Sequence, residues 1–388
     1  MEYISTRDAA KKWGISLRHV QRLIQEKRVP GAKKYGNYWM IPQDSARPDD
    51  LRKTGGNTER YLTCVLLSSV IPMPMDDPDA ALSALQDEPQ RAQYRAELAY
   101  LRGDYDAVKA YYSSVSPADA AYLCAANITI CAAMCTRDYP LFKRIADSVR
   151  DIERHASSIE ARRAASLLPV LAAVCMNAPR MAPDWLINGE FDGFPADARP
   201  MLIFMRIKYL QSVKDNAGML AAAQTARQIY RRSGTMTLVD IYLTCFCACG
   251  YYALGRLDCT RDYLKKSVDM CERGGFVSPL GEYTTWVGGL LGAALKKSAP
   301  EFERAVDDHI EGTLKNWLFF HNEFARDNAS LILTTKEYQL ALLLKEGKTY
   351  AQAAERLCIS VGRVKNLISI IYEKLGISKK ADISRYIF

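Results

Sequence analysis

The sequence predicts a mainly α-helical protein in three parts, with a small module at each end of a long helical body. Residues 80–320 repeat Ala, Leu, Tyr and Cys at helical spacing and contain few strand signals. Each end contains a helix, a tight turn and a second helix, all marked by capping residues. The net charge is +6 in residues 1–43, +5 in residues 331–388 and −3 in the remaining 287 residues.

This division of charge is typical of two nucleic-acid-binding ends on a nearly neutral body. With 49% hydrophobic residues, the chain can bury a sizeable core. No stretch approaches the roughly 20 uninterrupted apolar residues that cross a bilayer, and the N-terminus lacks the residue order of a signal peptide. We therefore expect a cytoplasmic protein with no membrane partner.

The N-terminal module begins with a helix that Ser5 or Thr6 can cap and that Gly14 ends. Ser16 can cap a second helix from Leu17 to about Gln25. The inward face of the second helix is apolar. Its outward face carries the candidate DNA contacts Arg18, His19, Gln21 and Arg22.

Residues 32–41 follow, where aromatic and apolar residues alternate with Lys33 and Lys34 around a turn at Gly36 and Asn37. This pattern predicts a β-hairpin that would form a wing beside the two helices. The first forty residues resemble the excisionase-like or MerR-like winged helix-turn-helix. The resemblance rests on Ala9, Ala10, Gly14, Ser16, Val20, Leu23, Ile24, Pro30, Gly31, Trp39, Ile41 and Pro42.

That resemblance implies that the second helix enters the major groove, with Arg18 and Arg22 as the best candidates for contacts. It also implies that the wing touches the DNA backbone or the minor groove, where Lys33 and Lys34 would neutralise phosphates. Trp13 stands where an aliphatic residue is usual, which changes the core and leaves the DNA face unaffected.

The amino-acid composition changes between the first module and the body. Residues 44–57 are polar and include Gly55 and Gly56, whereas residues 61–75 are apolar but interrupted by Pro72 and Pro74. We expect a flexible link followed by a segment that docks on the body. The predicted domains are therefore 1–46, a linker at 47–79, a body at 80–328 and a C-terminal module at 329–388.

The body contains degenerate repeats. The sequence around Gly103 and Tyr105 matches that around Gly255 and Leu257 at identical offsets, and both resemble the hinge between the two helices of a tetratricopeptide unit. The separation of these hinges would hold four units of about 38 residues. A TPR-like array presents a concave face for a peptide, a protein or a small-molecule effector. The alternative is a spacer and dimer scaffold without any ligand.

Eleven cysteines lie mostly in apolar helical contexts and form no CxxC pair, which predicts reduced thiols that pack as small hydrophobes. Cys245, Cys247 and Cys249 are close enough in sequence to suggest a metal or redox site. Residues two apart on a helix face different directions, however, which argues against it.

The C-terminal module has a cap at every joint. Thr334 or Thr335 can cap a first helix that Gly347 ends, Thr349 a short second helix, and Ser360 a long third helix over Val361–Leu375. In the third helix we expect an apolar face of Val361, Val364, Leu367, Ile368, Ile371 and Leu375. The candidate DNA contacts of this module are Lys348, Thr349, Arg363, Val364, Lys365, Asn366 and Ser369, with Lys379 and Lys380 as further phosphate ligands.

Residues 333–388 resemble the LuxR-type helix-turn-helix, a four-helix DNA-binding domain. The match rests on Leu333, Thr334, Glu337, Glu346, Gly347, Ala354, Leu357, Ile359, Ser360, Val364, Lys365, Asn366, Lys374, Leu375 and Gly376. The resemblance implies that the third helix reads the major groove and that residues 381–387 pair two subunits into a homodimer. Arg363 stands where threonine is usual and Leu367 where histidine is common, so a target sequence cannot be transferred from the family.

The sequence contains no catalytic motif that we recognise. The only Gly-Lys-Thr lies at Gly347, Lys348 and Thr349, and a phosphate loop would require glycine at position 342, which is leucine. There is no Gly-x-Ser-x-Gly elbow and no His-Glu-x-x-His helix, and the four histidines are scattered. We therefore expect no enzyme activity, no cofactor and no metal.

Together these patterns predict a transcriptional regulator that binds double-stranded DNA, and RNA polymerase as well if it activates. The main alternative is an interaction scaffold with only one functional DNA-binding module. An accessory role in recombination has support only from the first forty residues, and the C-terminal module could also be a plain helical cap on the body.

Overall fold

A computed structural model describes residues 3–25, 29, 31–35, 38–43, 45, 66–156, 159–194, 196–230, 234–325, 333–375, 377–385 and 387. These residues form 19 α-helices and five short strands, so the prediction of a mainly α-helical protein is confirmed. None of the described helices is both long and apolar enough to cross a membrane. The chain divides into two compact units, Met1–Gly55 and Gly56–Phe388.

Two helices and a three-stranded sheet make up the first unit. Its elements are β1 (Tyr3–Ser5), α1 (Thr6–Trp13), α2 (Leu17–Gln25), β2 (Lys33–Tyr35) and β3 (Tyr38–Pro42). The strands are antiparallel in the order β1-β3-β2, with Ile4 opposite Ile41 and Lys34 opposite Trp39. The predicted hairpin is therefore present, although its turn at Gly36 and Asn37 lies outside the described residues. Strand β1 was not predicted.

Local chemistry explains the helix boundaries of this unit. The Ser5 hydroxyl accepts a hydrogen bond from the Asp8 amide at 3.2 Å and so caps α1. Gly14 ends α1 in the left-handed conformation, with φ of 63°, which glycine adopts without a steric penalty. The core is small and consists of Ala9, Ala10, Trp13, Val20, Leu23, Ile24, Val29 and Ile41.

The second unit begins, within the described residues, with a segment that docks on the body. Helix α3 (Leu67–Val70) has its first amides bound to the Glu97 carboxylate, at 2.9 Å from Leu67 and 2.7 Å from Ser68. Strand β4 (Met73–Pro74) pairs with β5 (Thr235–Met236). Residues 66–79, which the sequence placed in the linker, therefore pack with the body, as expected of its docking segment.

The body proper is a succession of helices, most of which pack against the next helix along the chain. They are α4 (Glu88–Leu101), α5 (Tyr105–Ser114), α6 (Tyr122–Cys135), α7 (Tyr139–His155), α8 (Ile159–Cys175), α9 (Asp184–Asn188), α10 (Arg199–Ser212), α11 (Asn216–Tyr230), α12 (Leu238–Ala253), α13 (Leu257–Gly274), α14 (Ser278–Val287), α15 (Leu290–Leu295) and α16 (Pro300–Ala325).

A residue with positive φ recurs at the turns of this array. These residues are Gly103, Arg137, Asn177, Lys214 and Gly255, with φ between 55° and 79°, and they are spaced by 34, 40, 37 and 41 positions. In each turn the following amide bonds to the carbonyl five residues earlier, which satisfies the helix end. The four intervals agree with the four units that the sequence predicted.

The C-terminal module also belongs to the second unit. Its elements are α17 (Thr335–Lys345), α18 (Tyr350–Leu357), α19 (Val361–Leu375) and a short 3-10 helix (Lys380–Arg385). Leucine, isoleucine, valine and alanine side chains from all four elements form its core. Ile310 and Trp317 of α16 pack against that core, which joins the module to the body.

Candidate nucleic-acid interface

Helix α19 separates its polar and apolar residues cleanly. Ser360 caps the helix, since its hydroxyl accepts a hydrogen bond from the Arg363 amide at 3.2 Å, as predicted. Leu367 and Ile368 are buried in the core of the module. The exposed face carries four of the sequence-predicted contacts, which are Arg363, Lys365, Asn366 and Ser369.

Two valines of α19 differ from their predicted roles. Val364 was predicted as a DNA contact, but its side chain is fully buried, so that prediction is wrong. Val361 was predicted in the core and is instead 41% exposed, at the start of the helix beside the polar face. Val361 lies in the first turn of α19, where none of the described elements of the module covers it.

The turn before α18 serves the fold as well as the candidate interface. The exposed Thr349 forms a capping box, in which its hydroxyl accepts from the Gln352 amide at 3.2 Å and its amide donates to the Gln352 side chain at 2.9 Å. Lys348 is partly buried, and its carbonyl accepts a hydrogen bond from the Lys380 ammonium at 2.9 Å. Lys380 is therefore already engaged, whereas Lys379 is exposed.

The first unit presents a second basic surface. Arg18 and Gln21 are exposed on α2, and Lys33 and Lys34 are exposed on β2. The side chains of His19 and Arg22 lie outside the described residues. Two aromatic side chains that the sequence reasoning missed flank the hairpin turn, with Tyr35 65% and Tyr38 77% exposed. Their position in a hairpin was readable, but their exposure was not.

One arginine of the C-terminal module attaches it to the body. Arg356 of α18 is buried, and its guanidinium lies 4.5 Å from the centre of the Tyr252 ring on α12. This distance is within the range of a cation–π contact. The Arg356 carbonyl accepts hydrogen bonds from the Gly289 amide at 3.0 Å and from the Tyr252 hydroxyl at 3.5 Å.

Two glycines between α14 and α15 make this attachment possible. A Cβ atom added at Gly289 would lie 2.2 Å from the Leu357 carbonyl oxygen, and one at Gly288 would lie 2.7 Å from the Arg356 carbonyl oxygen. Backbone therefore meets backbone at this contact, with no room for a side chain. Helix α14 touches the module a second time, because its Thr284 carbonyl accepts a hydrogen bond from Gln339 at 3.3 Å.

The same helix borders a cavity of about 170 Å³ inside the body. Apart from residues of the docking segment and Met176, just after α8, the wall consists of side chains from α4, α6, α8, α10, α12, α14 and α16. Every second helix of the array thus faces the cavity. A single buried water needs about 10–15 Å³, so the space is large enough for roughly a dozen non-hydrogen atoms.

Most of the cavity wall is apolar, but four acidic or basic side chains reach it: Glu97, Lys208, Glu282 and His309. Burial raises the pKa of both glutamates, against the opposing effect of their hydrogen bonds and, for Glu282, of the Lys208 charge. Burial lowers the pKa of His309 to about 4, so this histidine is neutral at pH 7. The sequence reasoning singled out none of these four, since nothing in their local patterns distinguishes them from ordinary helix residues.

The three cysteines of α12 behave as small buried side chains. Burial raises the pKa of Cys245 to about 12 and that of Cys247 to about 11, which favours thiols over metal-binding thiolates. Burial also raises the pKa of Cys249. Cys131, Cys135 and Cys175 line the cavity. Among the residues that the structure describes, no group of three or more His, Cys, Asp or Glu side chains could hold a metal ion.

Comparison of the chain with known protein families, with curated proteins and with solved structures gave no match.

Proposed function

We propose that this protein is a sequence-specific DNA-binding transcriptional regulator in which two unlike helix-turn-helix modules flank an effector- or partner-binding helical body. The observation that carries the proposal is α19, where Arg363, Lys365 and Asn366 are exposed on one face while the opposite face packs in the module core. A capped helix of this kind after a short helix and a tight turn has the form of a recognition helix.

The chemistry of the exposed face suits base reading. Arginine and lysine donate to the O6 and N7 atoms of guanine, and asparagine forms two hydrogen bonds with adenine. Val361, exposed beside them, offers an apolar contact for a thymine methyl group. Lys379 of this module and Lys33 and Lys34 of the first unit are exposed and would neutralise phosphates.

The proposal includes the family resemblances. The C-terminal module is proposed as a LuxR-type domain, the first unit as an excisionase-like or MerR-like winged module, and the body as a TPR-like array. The regularly spaced positive-φ turns support the last assignment. RNA polymerase would be a partner if the regulator activates.

We also propose a homodimer on a two-fold operator, paired through residues 381–387. In this segment Ile383 and Ile387 are buried in the module, whereas Ala381 and Ser384 are exposed and available for a partner copy. Light scattering after size-exclusion chromatography measures the mass. A monomer that remains monomeric on DNA would exclude this part of the proposal.

Selection of bound fragments from random DNA with the full-length protein tests the DNA-binding role. We expect the wild type to enrich a defined motif. Replacing both Lys365 and Asn366 with alanine should weaken binding to that motif at least about 30-fold, because two base contacts contribute roughly 2 kcal/mol or more together. Replacing Lys297, an exposed lysine of the body, with alanine also removes one positive charge and is the matched control.

The same selection with alanine at Arg18 and Gln21 tests the first unit. Loss of a second, separate motif would support two readers. If only one of the two double variants changes the selected sequences, the scaffold with a single DNA-binding module is the better description. The anchoring of the C-terminal module through Arg356 and Gly289 is the observation that favours this second candidate. If the wild type enriches no motif, both candidates fail.

A further inference from the structure

The cavity of the body contains a buried cation that acts electrostatically on Glu282 but forms no direct ion pair among the described residues. Lys208 of α10 is only 8% exposed. Its ammonium donates a hydrogen bond to the Gln211 side chain at 3.2 Å and lies 5.3 Å and 5.9 Å from the centres of the Tyr283 and Trp286 rings. No carboxylate of the described residues is within 4 Å of it. An ammonium has three donors, and one neutral acceptor does not satisfy it.

A buried carboxylate faces the same cavity. One oxygen of Glu282, Oε1, accepts hydrogen bonds from the Tyr100 hydroxyl at 2.8 Å and the Tyr242 hydroxyl at 3.0 Å. The side chain lines the cavity and retains partial exposure there. Among the described residues no lysine, arginine or histidine lies within 4 Å of this carboxylate. Taking such a charge out of water is costly unless an opposite charge compensates it.

Glu97 provides an instructive contrast. Both of its oxygens are engaged, by the Leu67 amide, the Ser68 amide and the Gln93 side chain. Its role is therefore to hold the docking segment. Glu282 instead accepts both of its hydrogen bonds, from Tyr100 and Tyr242, through Oε1. Together Lys208 and Glu282 present one basic and one acidic group to the cavity.

The rest of the wall is apolar and aromatic, with Phe204, Leu171, Met134 and Trp317 among its members. Space for roughly a dozen non-hydrogen atoms fits a molecule of about the size of phenylalanine. A cavity with an apolar wall and a few convergent polar groups is typical of a small-molecule site.

We propose that this cavity binds an amino acid with an apolar side chain, whose carboxylate contacts Lys208 and whose ammonium contacts Glu282. A ligand with only one of these charges would form a direct ion pair with only one of the two protein groups, whose charges otherwise act on each other only through space. A zwitterion compensates both, and its apolar side chain fills the remaining wall. The inference gives the chemical class of the effector in the proposed regulator.

Helix α14 carries Glu282 and ends at the glycine pair that holds the C-terminal module. It therefore borders the cavity and is also joined to that module. A ligand on Glu282 therefore touches the helix that anchors the proposed DNA reader.

Isothermal titration of the full-length protein, without DNA, tests the inference. The probes are L-phenylalanine, 2-phenylethylamine and 3-phenylpropanoate, together with L-leucine, 3-methylbutylamine and 4-methylpentanoate. We expect one amino acid or both to bind at least about 10-fold more tightly than the corresponding amine and acid, since a hydrogen bond to a charged group contributes about 1.5–3 kcal/mol. Equal or tighter binding of an amine or an acid would overturn the proposal, as would no saturable binding at millimolar concentration.

Two variants locate the charges. Lys208→Met should abolish the preference for the amino acid over its amine, and Glu282→Gln should abolish the preference over its acid. Lys297→Met, at an exposed lysine, is the control. If both preferences persist in the variants, the ligand binds elsewhere and the proposal fails. The wild-type comparison needs no variant, so it stands even if a substitution prevents folding.

The binding test and the DNA selection fail independently. Amino-acid binding without motif enrichment would support the cavity assignment and contradict the proposed DNA-binding function. Motif enrichment without amino-acid binding would support the DNA-binding function and contradict the cavity assignment.

Discussion

The two end modules share a pattern of capped helices, but they are held in different ways. The N-terminal module forms a unit of its own, with a core of eight residues and a three-stranded sheet. The C-terminal module has no sheet among its described residues and shares its core with α16 of the body. The helix that would read DNA is nevertheless exposed in both, so exposure of the reading face does not depend on how a module is anchored.

The different anchoring of the two modules indicates where the placement of the C-terminal module can be regulated. The attachment of the C-terminal module involves backbone contacts at Gly288 and Gly289 and a buried arginine, none of which is a candidate DNA contact. A substitution at this attachment can alter the placement of the module without replacing any of the candidate DNA contacts. Four experiments test this contrast. Two change the attachment itself, one changes the body and one changes the first unit.

The largest effect is expected at Gly289. Alanine there would place a Cβ atom 2.2 Å from the Leu357 carbonyl oxygen, so the two backbones must separate and the Gly289–Arg356 hydrogen bond is lost. We expect the free energy of unfolding to fall by about 3 kcal/mol, measured by urea denaturation. Gly292→Ala is the control, because nothing lies within 4 Å of its added Cβ, and it should stabilise α15 by up to about 1 kcal/mol. Equal effects of the two substitutions would show that the attachment is not tight.

The buried histidine of the body gives a pH test. The folded pKa of His309 is about 4 and the unfolded value about 6.5, so the unfolded chain binds more protons between these values. Its contribution to stability is therefore complete at neutral pH and decreases as pH falls below 6.5. Relative to His309→Gln, the wild type should lose about 2 kcal/mol between pH 7 and pH 5.

Denaturation at both pH values, with His155→Gln as the exposed-histidine control, measures this loss. Glu97 and Glu282, whose pKa values are raised, change stability in the opposite direction in both proteins, so the difference between the proteins isolates His309. If the difference in free energy of unfolding between the wild type and His309→Gln were the same at pH 5 as at pH 7, a neutral His309 in the folded protein would be contradicted.

Arg356 allows a smaller, more local test. Replacing it with alanine removes the contact with Tyr252 and should cost about 1–2 kcal/mol. Its effect should be much reduced when Gly289 is already alanine, because both act at one contact. Additive effects in the double variant would show that Arg356 and Gly289 stabilise the protein independently.

The smallest effect is expected at the wing. Alanine at both Lys33 and Lys34 should weaken DNA binding several-fold at any sequence and reduce the salt slope by about 2, if each lysine contacts one phosphate. Titration at several salt concentrations measures the slope. An unchanged slope would remove the hairpin from the proposed interface.

Local signals made much of the fold predictable. The caps at Ser5, Thr349 and Ser360 depend on residues three positions away, and these sequence-based assignments are confirmed. The hinges at Gly103 and Gly255 were found because glycine marks them, whereas the equivalent turns at Arg137, Asn177 and Lys214 carry no such mark. The core role predicted for Val361 was wrong because periodicity alone does not say which first-turn residue remains uncovered. For Val364, periodicity correctly indicated the apolar face, and only its assignment as a DNA contact was wrong.

Periodicity and short-range hydrogen bonds were sufficient to predict the helical class and the outward position of Arg363, Lys365, Asn366 and Ser369 on α19. The site where the C-terminal module attaches and the side chains that meet in the cavity depend on long-range packing. Lys208 and Glu282 lie on different helices and neither is unusual in its own segment. Their charges come to line one cavity because successive helix pairs pack side by side, and that long-range packing leaves no signature in either helix.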